Sequence, residues 1–202
     1  MGYTAIVDYG VGNLKSIVNA MDYLGLSSKI TGQADELERA DALILPGVGA
    51  FPDAADKLRA TGLDRVVIAQ AEQKPVLGIC LGMQLLFDRG EEVRPCAGLG
   101  LVAGTVEKIA TDRKLPHIGW NSLTFPNPSP LFRGVEPGSY VYFVHTFCAL
   151  PAHPADVLAL TDYGVPVTAA VGRGNVYGCQ FHPEKSGEVG LQILKNFGEL
   201  SK

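Results

Sequence analysis

The chain lacks most of what specialised partners would require. It has no run of lysine and arginine, and its balance is acidic, with 17 basic against 21 acidic residues and a net charge of −4. That argues against nucleic acid and against an anionic membrane surface as partners. No apolar stretch approaches the roughly 18 residues of a membrane span. The N-terminus has no basic signal-peptide region and enters directly into a strand pattern, so a cytoplasmic protein is expected. Cysteine is scarce and scattered: Cys80, Cys96, Cys148 and Cys179 include no Cys-x-x-Cys pair. Neither a disulfide frame nor a zinc site is expected. There are only four histidines, His117, His145, His153 and His182, which narrows any search for a catalytic base.

What is present is patterned. Thr4 to Asp8, Ala42 to Leu45 and Val76 to Ile79 are short apolar runs that read as buried strands. Between them, Leu14, Ile17, Val18, Met21 and Leu24 recur at helical spacing and stop at Gly25. Asp53 to Gln73 is helical in pattern, broken near Gly62, and Leu81 to Asp88 continues as a helix after the third strand. Such alternation implies a parallel sheet covered on both faces. The second half changes character. Segments 105–109, 118–125, 140–147, 157–161, 167–171 and 176–181 read as strands separated by Gly, Pro or Asn, and Ser186 to Leu200 as a closing amphipathic helix. The expected fold is α/β, in three layers, with a mostly parallel central sheet flanked by helices and additional antiparallel strands in the second half. At 202 residues, residues 1–202 are expected to form a single domain.

The most informative residue is Cys80. It sits in Gly78-x-Cys80-x-Gly82, between an apolar strand and a helical pattern, the shape of a nucleophile elbow with cysteine in place of serine. Glycines on both sides remove Cβ atoms that would clash in a tight turn. The start of a helix favours an anion there, and a thiolate attacks carbonyl carbon, so acyl transfer is the chemistry to consider. A cysteine nucleophile needs a base, and the base needs an orienting group. His182-Pro183-Glu184 follows a predicted strand. Pro183 biases His182 toward extended backbone, in which residues i and i+2 point the same way. Cys80, His182 and Glu184 thus form a candidate triad. Pro46-Gly-Val-Gly49, directly after the Ala42–Leu45 strand, reads either as an ordinary strand-to-helix turn or as a source of backbone N–H donors for an oxyanion. By residue type alone, Asn13 is a helix cap, Trp120 a core residue, His145 a structural histidine and Lys185 a solvated charge.

Together these motifs resemble the class I (triad) glutamine amidotransferases over essentially the whole chain. Gly78-Ile-Cys-Leu-Gly-Met-Gln84 resembles the family's nucleophile motif, and His182-Pro-Glu184 its base and orienting acid. Asp8-Tyr-Gly-Val-Gly-Asn-Leu14, Pro46-Gly-Val-Gly49, His117-Ile-Gly-Trp-Asn121 and His182-Pro-Glu-Lys-Ser186 are similar to the branch that provides the glutaminase subunit of imidazole glycerol phosphate synthases in histidine biosynthesis. The resemblance implies hydrolysis of glutamine to glutamate and ammonia through a thioester on Cys80, with no metal or organic cofactor. It also implies a heterodimer with a separate (β/α)8-barrel cyclase subunit that receives the ammonia. It assigns His182 as base and Glu184 as its orienting group. Oxyanion donors would be the N–H groups of Leu81 and, after a peptide rearrangement, Val48. Gly47, Gly49 and Gln84, with His145 and Thr146, would hold glutamine. Asn13, Trp120, Asn121 and Lys185 would face the partner.

Met83 and Phe147 depart from the family pattern, which often has His and Tyr there. The glutaminase subunits of pyridoxal phosphate and anthranilate synthases are the enzymatic alternatives. The first differs in the 46–49 loop, and the second usually has His at position 83 and lacks the lysine of position 185. A non-catalytic binding subunit of the same fold is the remaining one.

Overall fold

The computed structural model describes residues 2–201. The first half alternates as its apolar runs require. In chain order it contains β1 (Thr4–Val7), α1 (Leu14–Tyr23), β2 (Ser28–Thr31), α2 (Ala34–Arg39), β3 (Ala42–Leu45), α3 (Phe51–Ala60), α4 (Leu63–Ala71), β4 (Val76–Ile79) and α5 (Leu81–Leu85). Gly25 and Gly62 both take left-handed φ, +67° and +73°, a conformation that costs glycine little. They end α1 and separate α3 from α4.

The second half contributes β5 (Phe87–Gly90), β6 (Cys96–Ala97), β7 (Val102–Lys108), β8 (His117–Ser122), β9 (Tyr140–His145), β10 (Phe147–Pro151), β11 (Val157–Asp162), β12 (Pro166–Arg173), β13 (Val176–Cys179) and α6 (Gly187–Glu199). The central sheet has seven strands in the order β11-β12-β13-β4-β3-β1-β2. The run from β13 to β2 is parallel, and β12 and β11 extend it antiparallel. A four-stranded sheet, β10-β7-β5-β6, and a two-stranded hairpin, β8-β9, stand beside it. The expected α/β architecture is present.

Strand alternation divides the core. Ala5, Val7, Leu43, Leu45 and Val76 face one side with Leu37 of α2, the α3–α4 pair and Val102 and Val106 of β7. Ile6, Ile44, Leu77 and Ile79 face the other with Ile17 and Met21 of α1, Ile193, Leu194 and Phe197 of α6, and Val141 and Phe143 of β9. No helix among the described residues is long and apolar enough to cross a membrane.

Two local expectations are corrected. The helix expected over Leu81 to Asp88 stops at Leu85, and the chain enters β5, because Phe87 and Gly90 pair into the four-stranded sheet. The strand expected over 140–147 breaks at Thr146: β9 pairs with β8, and β10 pairs with β7. Both breaks are tertiary, since the partner strand in each case lies elsewhere in the chain.

The elbow depends on three glycines. A Cβ on Gly82 would fall inside the van der Waals shell of the Leu45 carbonyl oxygen. On Gly78 it would lie 2.6 Å from Gly82 O, and on Gly47 2.7 Å from Gly82 N. The expected roles of Gly78 and Gly82 are therefore met by close backbone approach. Gly82→Ala should force β3 and the elbow apart and destabilise the protein by about 2–3 kcal/mol, read as a lowered midpoint in thermal or urea unfolding.

Candidate active site

Adjacent strands β4 and β13 run parallel, with Ile79 opposite Cys179. Both end at the same edge, where open α/β sheets build their sites. Cys80 follows β4 directly, and its N–H donates to Cys179 O at 2.7 Å. Its φ is +55°, a conformation that costs a non-glycine residue of the order of 1–3 kcal/mol and that the packed glycines above enforce. Cys80 as a whole is only 8% exposed. It lines a cavity of about 360 Å³ whose wall includes Val48, Gly49, Leu81, Gln84, Thr146 and His182, large enough for an amino acid.

His182 reaches the same cavity from the end of β13. Its Nδ1 lies 2.8 Å from Glu184 Oε1, and both side chains are almost fully buried. The geometry differs from the extended stretch expected. Residues Pro183–Lys185 form a 3₁₀ turn capped by His182, and this turn brings Glu184 back to the ring. Glu184 Oε2 is buried and makes no hydrogen bond among the described residues. The imidazole is thus the carboxylate's one polar partner there.

Burial alone would lower the pKa of His182, but the Cys80 sulfur and the Glu184 carboxylate outweigh it and raise it to about 9. The ring is an imidazolium at neutral pH. Because the pKa is raised in the fold, its contribution to stability is complete below about 6.5 and fades as pH rises through about 9.

The remaining expected residues separate into groups. Val48, Gly49, Leu81, Gln84, His145, Thr146 and Lys185 line the cavity. Gly47 lies behind the wall, against Leu81 and Gly82. Gly49 has φ +96°, which suits a glycine at this turn. Asn13 stands at the N-cap position of α1, yet its side chain makes no capping bond, so the cap reading fails. Trp120 is 55% exposed on β8, so the core reading fails as well. It lies on the outer face with Ile118 and Val144, which are also exposed. Asn121 points the other way: its amide donates to Asp162 O at 2.7 Å and lies 3.3 Å from His117 Nε2.

Further residues at the site escaped the sequence reading, Glu92, Gln180 and Pro116 among them, with Val144 and Phe147 also in the wall. Glu92 lines the cavity and accepts from Phe51 N at 2.8 Å, at the start of α3. Gln180 donates to Cys80 Sγ at 3.8 Å and accepts from Gln84 Nε2 at 2.9 Å. Pro116 closes one side. Glu92 sits in an acidic turn with no local pattern to mark it. Gln180 could have been noticed, because it stands two residues before His182 and so on the same side of an extended chain. No group of acidic, histidine and cysteine side chains able to hold a metal ion occurs among the described residues.

A thiol, a charged imidazole and a carboxylate in that order around an amino-acid-sized cavity form a nucleophile–base–orienter arrangement for acyl transfer. The family model "Glutamine amidotransferase class-I" matches residues 5–199. Among curated proteins, "Imidazole glycerol phosphate synthase subunit HisH" of Caldanaerobacter subterraneus is 48% identical over 198 residues, covering 98% of each chain. The protein of that name from Bacillus thuringiensis is 49% identical over 195 residues, covering 96% of this chain and 92% of that one. Among solved structures, "Crystal structure of glutamine amidotransferase" has a TM-score of 0.78 at 22% identity, covering 99% of both chains. "Structure of PurLQS from Thermotoga maritima" has a TM-score of 0.77 at 22% identity, covering 100% of this chain and 99% of that one. These structures share the fold. With the family model spanning nearly its whole length and Cys80 and His182 standing at one sheet edge, the chain belongs to the class I glutamine amidotransferases.

Proposed function

We propose that this chain is the glutaminase subunit of an imidazole glycerol phosphate synthase and releases ammonia from glutamine for a partner cyclase with a (β/α)8 barrel. The observation that carries the reading is the buried Cys80, His182 and Glu184 arrangement in a chain 48–49% identical to proteins named as that subunit.

In this reading glutamine lies in the 360 Å³ cavity. Cys80 Sγ attacks the carboxamide carbon and forms a tetrahedral oxyanion, held by the N–H groups of Leu81 and Val48. His182, already protonated, gives its proton to the departing nitrogen as the C–N bond breaks and ammonia leaves. Water then adds to the thioester with His182 as base, and glutamate and the free thiol result. Glu184 holds the ring by Nδ1 throughout, leaving Nε2 for the sulfur side of the site.

The partner surface is read from exposure. Ile118, Trp120 and Val144 form an apolar strip on the outer face of the β8-β9 hairpin. Contiguous exposed apolar surface marks interaction sites, and Trp is a favoured anchor of interfaces. Exposed Asn13 and Lys185 lie on this reading at the same docking face. Asn121 supports it from behind rather than by contact. The four free cysteines support a reducing, cytoplasmic setting.

Glutamate release from glutamine should be low for the isolated chain. It should rise on adding the cyclase subunit with its ribonucleotide ligand, and disappear in Cys80→Ala. The two glycines of Pro46-Gly-Val-Gly49 make a peptide flip inexpensive, so the Val48 N–H can be held out of place until the partner binds; high turnover by the chain alone would exclude that gating. Glu184→Gln should lower the pKa of His182, because burial then acts with less opposition, and should reduce kcat by about 10³–10⁴. An NMR titration of the His182 ring checks the first, and steady-state kinetics of the complex the second. Trp120→Ala should weaken partner binding by about 2 kcal/mol or more, measured by calorimetric titration, without changing the melting temperature appreciably.

A further inference from the structure

A second pair of histidines lies beside the triad. His117 Nδ1 and His145 Nε2 are 3.0 Å apart, and both side chains are buried. His145 Nδ1 is 2.8 Å from the carbonyl oxygen of Phe147. Asn121 Nδ2 is 3.3 Å from His117 Nε2. Burial lowers the pKa of each histidine to about 4, so both rings are neutral near pH 7.

The geometry then permits one assignment of protons. A carbonyl oxygen only accepts, so His145 Nδ1 carries the proton and His145 Nε2 accepts. His117 must therefore donate from Nδ1, which leaves its Nε2 to accept from the Asn121 amide, a group that can only donate. The direction runs from Asn121 to His117, to His145, to Phe147 O. Each proton has one acceptor, and no ring nitrogen of His117 or His145 is left idle.

The end of this relay lies in the cavity wall. Phe147 O also accepts from Gln84 Nε2 at 3.1 Å. The same amide donates to Gln180, which donates to the Cys80 sulfur. Residues 145–147 are where the chain leaves the β8-β9 hairpin for β10 of the four-stranded sheet, and all three line the cavity. Two ladders meet at this corner, with His145 paired to His117, Phe147 paired to Lys108, and Thr146 O accepting from Ile109 N at 3.0 Å. Here it is clamped from the elbow by Gln84 and from the hairpin by the histidines. His117 is itself stacked between Phe143 and Tyr163, with ring centroids 4.7 and 4.0 Å away, so its ring has little freedom to turn.

We propose that His117 is a positioning residue, which by donating to Nε2 holds the ring of His145 against Phe147 O, and through it the 145–147 wall against which the substrate of Cys80 is held. His117 does not line the cavity. It acts through His145. The proposal rests on the amidotransferase reading only for the identity of that substrate.

The test uses amide geometry. Asparagine places its NH₂ close to the Nδ1 position of histidine, whereas glutamine places it close to Nε2. His117→Asn keeps the donor to His145, His117→Gln loses it, and His117→Phe keeps the stacking and loses the whole relay. Ring-nitrogen NMR of the chain should show His145 protonated at Nδ1 in the parent and in His117→Asn. In His117→Gln and His117→Phe the Phe147 carbonyl still holds Nδ1–H, and the expected signature is a shift of the unprotonated Nε2 resonance as it loses its donor. With the cyclase subunit and its ligand present, KM for glutamine should rise about tenfold in His117→Phe and His117→Gln, the cost of about one buried hydrogen bond. It should stay within about twofold in His117→Asn, with kcat changing less than KM throughout.

A parent His145 protonated at Nε2 overturns the proposal. So does a parent-like KM in His117→Phe, or an equal loss in His117→Asn and His117→Phe at matched melting temperatures. If His117→Phe does not fold, the Asn and Gln variants make the same comparison. If the parent complex has no glutaminase activity, the functional reading fails while the tautomer measurement still decides the relay.

Discussion

Backbone contact at the elbow is the constraint on which the rest depends. Gly47, Gly78 and Gly82 stand where a Cβ would strike main-chain atoms, so β3, β4 and the start of α5 approach to direct backbone contact. That contact holds Cys80 at φ +55° and directs its side chain to the cavity. The strain is tolerable because the flanking strands lie in the middle of a seven-stranded sheet, with apolar clusters on both faces. An edge strand would relax. The short α5 adds little dipole of its own, since five residues make little more than one turn.

The site separates two kinds of histidine by their neighbours. His182 faces an ionised carboxylate with one polar partner, and its pKa moves up. His117 and His145 face each other, a carbonyl and an amide, and burial moves both down. One residue type thus stands as a charged ring in the cavity wall and as a neutral hydrogen-bonded pair at and behind it. The difference lies in whether a compensating negative charge is buried with the ring.

The irregular second half of the chain builds the cavity's other side. The elbow and the base come from parallel strands, but His145, Thr146 and Phe147 come from the corner between the hairpin and the four-stranded sheet, and Glu92 from the turn after β5. The hairpin carries Ile118 and Trp120 outward and His117 and Asn121 inward on alternate positions. One strand therefore carries an exposed apolar face and supports the substrate wall from behind.

The α/β class, the elbow at Cys80 and the pairing of His182 with Glu184 were legible because each is local: apolar runs, glycine spacing and near neighbours in sequence. The turn that joins His182 to Glu184 was not, since a proline permits both an extended chain and a 3₁₀ turn after it, and α6 packs against that turn. The ends of α5 and β9 were misread because propensity cannot see a strand that arrives from 15 or more residues away. Asn13 and Trp120 looked like a cap and a core residue by type, and only the folded surface leaves them free of those roles. What the sequence by itself determined was the fold class and that Cys80, His182 and Glu184 belong together, because reactive groups and the glycines around them are specified position by position. What only the tertiary structure decided was the wall around them, the protonation of three histidines and the direction of the relay. Those depend on burial and on partners that the chain brings together only when its sheets close.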